Sequence, residues 1–505
     1  MGDDHIAAIL KMLEEGRITA SEAEKLLSAL GAEKGGAQQG GAAPSARAAE
    51  PKAEPTAEAE SGPSKSFEFR WNQKRGFPMD LGALSKQIQQ VVKKVDPERI
   101  LRDARAGGKR WQEKVRHWGR MLDEDEAPPR NDLGLPTAST TETQTFDLSA
   151  ESIVQVENKW GPVQVRGGAD GFRLDVTREA WAPTQEEAAG RLRELKVDCE
   201  AHIAGPPMPQ PTPPPFVGFG AAPPPPPPAP RQSRLDVQVC APEGFREGTV
   251  SLTLHVPGPA ALRLATTFGA AEVRDMSGSV EVHTVSGSVG FEELSGSVRA
   301  EGVSGAMRAV GVSGHLGFSS KSGDLSAERL SKGGSLVAVS GDVRATDVDG
   351  GRLEARSVSG DVRVERAGVG APIDLSVESV SGDVHLASAR GNVALKTVSG
   401  DAVAEDLNAT MVQAQAVSGD MRIHMHSPLT GTLTTSTVSG DVEIRLPGES
   451  SFRFTLATQS GELRCEHTAH DVDRTDTLWT GTVGTGVGVV NVQTLSGDVR
   501  LGTTD

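Results

Sequence analysis

From residue 145 onward apolar and polar residues alternate with a period of two, the spacing of half-buried strands. Val154-Gln155-Val156, Val163-Gln164-Val165 and Leu174-Asp175-Val176 are short examples, the first two placed around Asn158-Lys159-Trp160-Gly161. A short helix is predicted over 184–195, with Ala188, Leu192 and Leu195 on one face, and further strands near 196–203 and 233–240. Before residue 145 the period is helical. Ile6, Ile9, Leu10 and Leu13 form one stripe and Ala23, Leu26, Leu27 and Leu30 another, closed by Gly16 and Gly31, so 5–31 predicts a helical hairpin. Two such short helices bury too little surface to stand alone. The module 1–31 is therefore expected to self-associate, or to bind a protein partner, through Ile9, Leu13, Leu26 and Leu30. A second helical pattern runs through Leu84, Ile88, Val91 and Val95, breaks at Asp96-Pro97 and Gly107-Gly108, and resumes at Trp111, Val115, Trp118 and Leu122.

The strongest regularity lies farther on. Ser-Gly pairs begin at Ser277, Ser286, Ser295, Ser304, Ser313 and Ser322, nine residues apart, and later ones at Ser340, Ser359, Ser381, Ser399, Ser418, Ser439, Ser460 and Ser496 at mostly twice that interval. The recurring phrase is Val358-Ser359-Gly360-Asp361-Val362. Val362 and Val364 point to one face of a strand and Asp361 and Arg363 to the other, while Ser-Gly supplies the turn because glycine reaches positive φ without strain. A nine-residue strand and turn cannot bury its apolar side alone, and stacking such units makes a continuous core. The predicted fold is mainly β: a single-chain β-solenoid over 277–505, with a β-rich N-terminal cap over 145–276. A polyproline insertion at 205–231, with six prolines at 223–228, sits at a hairpin tip, since prolines cannot join a sheet. Segments 32–66 and 123–144 read as linkers.

Composition narrows the function. Aromatics are 4% with no Tyr, which is little for a large enzyme core. The net charge of −16 makes nucleic acid an unsuitable partner for the whole chain. Against it, Leu84 to Met121 holds 11 Lys and Arg and 4 Asp and Glu, a net +7. Within the basic amphipathic segment 67–122, the stretch 84–122 suits either an anionic membrane surface or packing as a helix on a partner or on this chain's own hairpin or solenoid end, with Lys93, Lys94, Arg110, Trp111, Lys114 and Trp118 in contact. Cys199, Cys240 and Cys465 are too few and too scattered for a disulfide framework. The acidic start Met1-Gly2-Asp3-Asp4 does not resemble a signal peptide, and the expected location is cytoplasmic, at a membrane periphery through 84–122.

The order of these parts resembles a known family. Val154 to Asn158 with Gly161-Pro162-Val163, Leu235 to Val239, Leu252 to Pro257, the Ser-Gly-Asp-Val repeats and the ending Val490-Asn491-Val492 to Val499 are similar to the bacterial "putative adhesin" β-strand-repeat family, a domain of unknown function. Ile9 through Leu30 resembles the short SHOCT-like hairpin. The resemblance implies a β-solenoid and an association with envelope stress, and it implies no catalytic residues. The chain departs from the family in its proline insertion and linker lengths.

Candidate chemistry is weighed against plain structural roles. Asp342, Asp361, Asp383, Asp401, Asp420, Asp441 and Asp498 form a ladder; stacked carboxylates can bind Ca²⁺, but turn capping by each Asp of its own backbone explains them more simply. Arg344, Arg363, Arg422 and Arg500, two residues on, would offset their charge. Cys465, His467 and His470 have zinc-ligand types, yet His470 lies beyond a predicted turn. No phosphate loop, nucleophile elbow or HExxH motif occurs. The expectation is a non-enzymatic scaffold or interaction protein without cofactor or metal, peripheral to the inner face of the cell envelope. The alternatives are an exported adhesin-like surface protein and a carbohydrate-active β-helix enzyme.

Overall fold

The computed structural model describes residues 129–203, 233–242 and 245–504, all within the compact unit Phe77–Asp505. The expected module 1–31, the linker 32–66, the segment 67–122 and the proline tract lie outside the described residues. So do Ile9, Leu13, Leu26, Leu30, Lys93, Lys94, Arg110, Trp111, Lys114 and Trp118.

The described chain is mainly β and forms a β-solenoid. Each regular coil has two strands, one in each of two facing walls, and strands of successive coils pair in parallel. β10 (Val280–Ser286) pairs with β12 (Val298–Ser304) in wall I, and β11 (Val289–Leu294) with β13 (Met307–Val312) in wall II. Alternation within each strand sends Val280, Val282, Val289 and Phe291 inward, and all four are buried. Phe291 of wall II meets Phe318 of wall I with ring centroids 5.6 Å apart. Each fully buried Val or Leu contributes roughly 1.5–3 kcal/mol, so the stack is held by a repeated apolar seam.

The ends are less regular. β2 (Ile153–Trp160) lies in wall I between β6 (Arg234–Cys240) and β8 (Ala261–Phe268). β3 (Val163–Arg166) lies in wall II between β7 (Gly248–His255) and β9 (Ala271–Arg274). The coil made first along the chain is therefore second in the stack. The other end mirrors this. Gly488–Gln493 and Val499–Thr504, the last strands of the chain, slot between Thr432–Ser436 with Val442–Pro447 and Phe452–Ala457 with Leu463–Cys465.

Antiparallel strands close both ends, as parallel edges left open would recruit other chains. β4 (Phe172–Trp181) covers β7, and β5 (Lys196–His202) covers β6. Because His202 pairs with Arg234, the β5–β6 hairpin closes on the residues flanking the proline tract. A helix α1 (Gln185–Leu192) occupies part of the predicted 184–195. Thr184 caps it by accepting from the Glu187 N–H at 3.3 Å, and Glu186 and Glu187 suit its positive first turn.

One boundary is corrected. β1 (Thr137–Phe146) begins inside the expected linker 123–144 and pairs antiparallel with β4. Its sequence TASTTETQTF shows no apolar alternation because it is an outer edge strand, held by the ladder and by contacts such as Thr143 Oγ1 to Asp175 at 2.6 Å.

Candidate interaction surface

The Ser-Gly pairs divide into two kinds of corner. At the corner leading from wall I to wall II, glycines such as Gly287, Gly341, Gly360 and Gly400 have φ between 129° and 150°. A Cβ on Gly360 would lie 2.3 Å from the Gly341 carbonyl oxygen. Both conformation and stacking demand glycine there. At the return corner, Gly278, Gly296 and Gly314 are not left-handed, but a Cβ on Gly296 would lie 1.9 Å from the Gly278 oxygen. Close approach alone demands glycine at that corner, which corrects the single turn role expected from sequence. The return corner later gives way to longer turns such as Val348 to Arg352, and this is why the spacing doubles.

The Asp ladder runs along the first kind of corner. The Asp361 N–H donates to Asp342 Oδ1 at 2.9 Å, and Asp361 Oδ1 accepts from the Asp383 N–H at 2.9 Å. The same bond recurs through Asp401, Asp420 and Asp441 to Asp498, which then accepts from the Glu462 N–H at 2.8 Å. Each carboxylate thus caps the neighbouring coil rather than its own turn. The jump from Asp441 to Asp498 records the inserted C-terminal coil. The expected arginine partners are mostly elsewhere. Arg363 pairs with Glu365 of its own strand and Arg500 with Glu466, while the Asp side chains reach the backbone of the neighbouring coil at the corner. Only Arg422 approaches its aspartate, Asp420, at 3.9 Å.

A second column was not foreseen. Near the end of seven successive wall II strands one residue is left-handed: Glu293, Gly311, Arg329, Asp347, Arg366, Ser388 and Asp406 have φ between 51° and 73°. It lets two successive side chains face out and returns the next one inward, as in Glu292, Glu293 and Leu294. Such a backbone costs about 1–2 kcal/mol at a residue with a side chain. The column offsets part of that by pairing along itself. Arg366 forks onto Asp347 at 2.5 and 2.7 Å and holds its carboxyl below the usual range. Arg329 reaches Glu293 at 2.7 Å past Gly311, where a Cβ would collide with the Glu293 carboxylate. The sequence does carry a signal, since Val289, Phe291, Leu294 and Leu325, Ala327, Leu330 are spaced two and then three apart.

The cysteine and histidine cluster does not assemble. The His467 ring is buried, its Nε2 3.0 Å from the Gly502 carbonyl, while His470 is exposed beside Asp471. Cys465 Sγ lies 3.9 Å from the His467 carbonyl. All three thiols are free, and burial pushes that of Cys199 up to about 11. Among the described residues no group of three His, Cys, Asp or Glu is placed to hold a metal.

The outer face of wall I carries a trough of about 800 Å³. One row across its strands is Arg263, Glu281, Arg299, Gly317, Ser335 and Glu354. The adjacent row is His283, Glu301, Ser319, Val337, Arg356 and Glu378. Small residues floor the middle and ion pairs close the ends. Arg263 lies 3.5 Å from Glu281 and Arg299 3.0 Å from Glu301 at one end; Arg356 pairs with Glu354, and with Glu378 at 3.1 Å, at the other. Burial holds the His283 pKa below its ordinary value despite Glu301 and Glu281 beside it.

Residues 314–502 match the family model of Toastrack DUF4097. The ladder, from Asp324, whose Oδ1 accepts from the Asp342 N–H at 3.0 Å, to Asp498, lies wholly within that stretch, and the trough straddles its start. Residues 6–35 match the model of a SHOCT-like domain. Both resemblances read from sequence are thus shown, the first over a shorter stretch than 145–505. Neither match indicates an enzyme family. No curated protein matches the chain. The crystal structure of a "putative cell adhesion protein" from Clostridium sporogenes ATCC 15579 is similar over 73% of this chain and 100% of that one, with 6% identity and a TM-score of 0.18. So low a score carries no argument.

Proposed function

We propose that this chain is a non-catalytic interaction scaffold. A β-solenoid is joined to a basic segment that meets an anionic membrane at the inner face of a bacterial envelope, and to an N-terminal module that binds a partner or a second copy. The observation that carries this reading is the charge asymmetry: a net +7 between Leu84 and Met121 in a chain of −16. The solenoid supports it, since coil after coil commits its carboxylates to backbone N–H groups and ion pairs in the same way. Such repetition suits a rigid spacer better than a single reaction centre. The link to envelope stress rests on the family resemblance.

Each Lys or Arg near an anionic surface contributes about 1 kcal/mol, screened by salt. Full-length protein should co-sediment with anionic vesicles at low salt and not with neutral ones. The triple variant Lys93→Glu, Lys94→Glu, Lys114→Glu should bind at least about 100-fold more weakly, as three lost contacts imply. Equal sedimentation of variant and parent would refute the membrane role. Removal of the solenoid by protease shaving of intact cells would replace this reading with a surface-exposed, adhesin-like one.

A further inference from the structure

We infer that the outer edge of β1 is an interface between two copies of this chain, where β1 pairs antiparallel with β1 of the second copy in a register centred on Thr141. The inference is independent of the membrane role and of any association through 1–31.

The direction of the β1 backbone comes first. The Ala182 N–H donates to the Pro136 carbonyl, one step before the Thr137–Trp181 pair. In an antiparallel ladder, residues that exchange bonds with one neighbour alternate with residues that turn away from it. Ala138, Thr140, Glu142, Gln144 and Phe146 therefore bond to β4. Thr137, Ser139, Thr141, Thr143 and Thr145 present their N–H and C=O groups outward. The far side of β4 agrees, since the Trp181 N–H donates to Glu247 and the odd-numbered residues of β4 thus face β7. Gln185 of α1 reaches the Thr137 carbonyl at 3.2 Å, as an outward carbonyl requires. From Ser139 to Thr145, no backbone bond from another described residue reaches this edge.

The edge also lacks the devices that keep edges apart. Three other strands have an open edge among the described residues, and each carries such a device. β5 bears Lys196, Asp198, Glu200 and His202 within seven residues. Leu463–Cys465 is only three residues long. Ala469–Arg474 is charged, shifts register between His470 and Asp473, and has a left-handed Asp471. β1 runs for ten residues without proline, lysine or register shift. Its one charge, Glu142, is paired with Arg178.

Length and charge choose the occupant. Stacking two solenoids end to end would set β1 against the far edge of wall II, Leu463–Cys465, and match three residues of ten. A second β1 matches the whole strand. Two centres use nearly all of it, Thr141 and Glu142. Centring on Glu142 sets that carboxylate against its own copy, and like charges directly opposite repel. Centring on Thr141 sets Glu142 against Thr140, Ser139 against Thr143 and Thr141 against itself, pairs that a strand favours. About six main-chain hydrogen bonds then close between the copies, and wall II continues from one copy into the other.

Cysteine cross-linking of full-length protein reads this register. Opposed residues in a hydrogen-bonded antiparallel pair have Cα atoms about 5.5 Å apart, within disulfide reach. Thr141→Cys should therefore give a disulfide-linked dimer on mild oxidation. Ser139→Cys would lie about 14 Å from its copy, four residues along the strand, and should give at most about a tenth as much. The parent, whose Cys199, Cys240 and Cys465 are free, sets the background. Equal yields at 139 and 141 would overturn the proposal, as copies joined only through 1–31 would give. Hydrogen exchange of 137–146 supplies a second reading. The outward amides should exchange more slowly as protein concentration rises. In Thr141→Pro, which removes no bond to β4, they should exchange fast at every concentration. Fast exchange throughout in the parent would overturn the interface. Protection that persists on dilution would also overturn it and assign the edge to another segment of this chain.

Discussion

Two glycines of the stack show what this fold asks of single residues. Gly360 has φ 137° and its Cβ position lies 2.3 Å from the Gly341 oxygen. Gly290, mid-strand in wall II, has nothing nearer than Glu272 Cγ at 3.9 Å. Gly360→Ala should cost about 3 kcal/mol or more through backbone strain and displacement of the next coil. Gly290→Ala should be neutral or slightly stabilising, as glycine in a strand carries excess unfolded-state entropy. Urea unfolding of the two variants would separate them, and similar midpoints would refute the stacking account. The histidines set a pH dependence. Burial lowers the pKa of His283 and of His467 in the folded protein. Below the unfolded value of about 6.5 the unfolded chain binds protons that the native chain does not, so stability falls as pH drops through that value toward the folded ones. A stability profile from pH 8 to 5 should decline below about 6.5. In His283→Gln with His467→Gln the decline should flatten; an unchanged slope would place its origin elsewhere.

Among elements, the two inserted coils matter most. Gly488–Gln493 and Val499–Thr504 each have a parallel partner on both sides. Removing 488–504 takes away the contact between the terminal coil and the rest of the stack, not merely a frayed end. Nearest-neighbour contacts carry solenoid stability, so the terminal coil and its cap should detach. Limited proteolysis of the truncated chain should give new cuts within 448–483 while strands before Pro447 stay protected; an unchanged digest would contradict the inserted order. The caps were partly legible beforehand. The helical face of Ala188 and Leu192 marks α1, and the strands expected near 196–203 and 233–240 are β5 and β6. β1 was not legible, because an edge strand with few buried side chains needs no apolar alternation.

For the molecule as a whole, chain order and spatial order part company at both ends, and the proposed role of 84–122 follows from the same division between local pattern and long-range placement. Period-two alternation, the nine-residue Ser-Gly phase and the charge asymmetry are local properties. The sequence by itself therefore determined a β-solenoid, its twofold coil and a basic segment apart from it. Which coils touch was decided only by tertiary structure. Asp441 meets Asp498 across 57 residues and Asn158 meets Val250 across 92, and no local propensity specifies such a pairing. The two meanings of Ser-Gly, the left-handed column and the ion-paired trough also arise only after stacking. A carbonyl about 2 Å from a missing Cβ exists only once another coil lies against it.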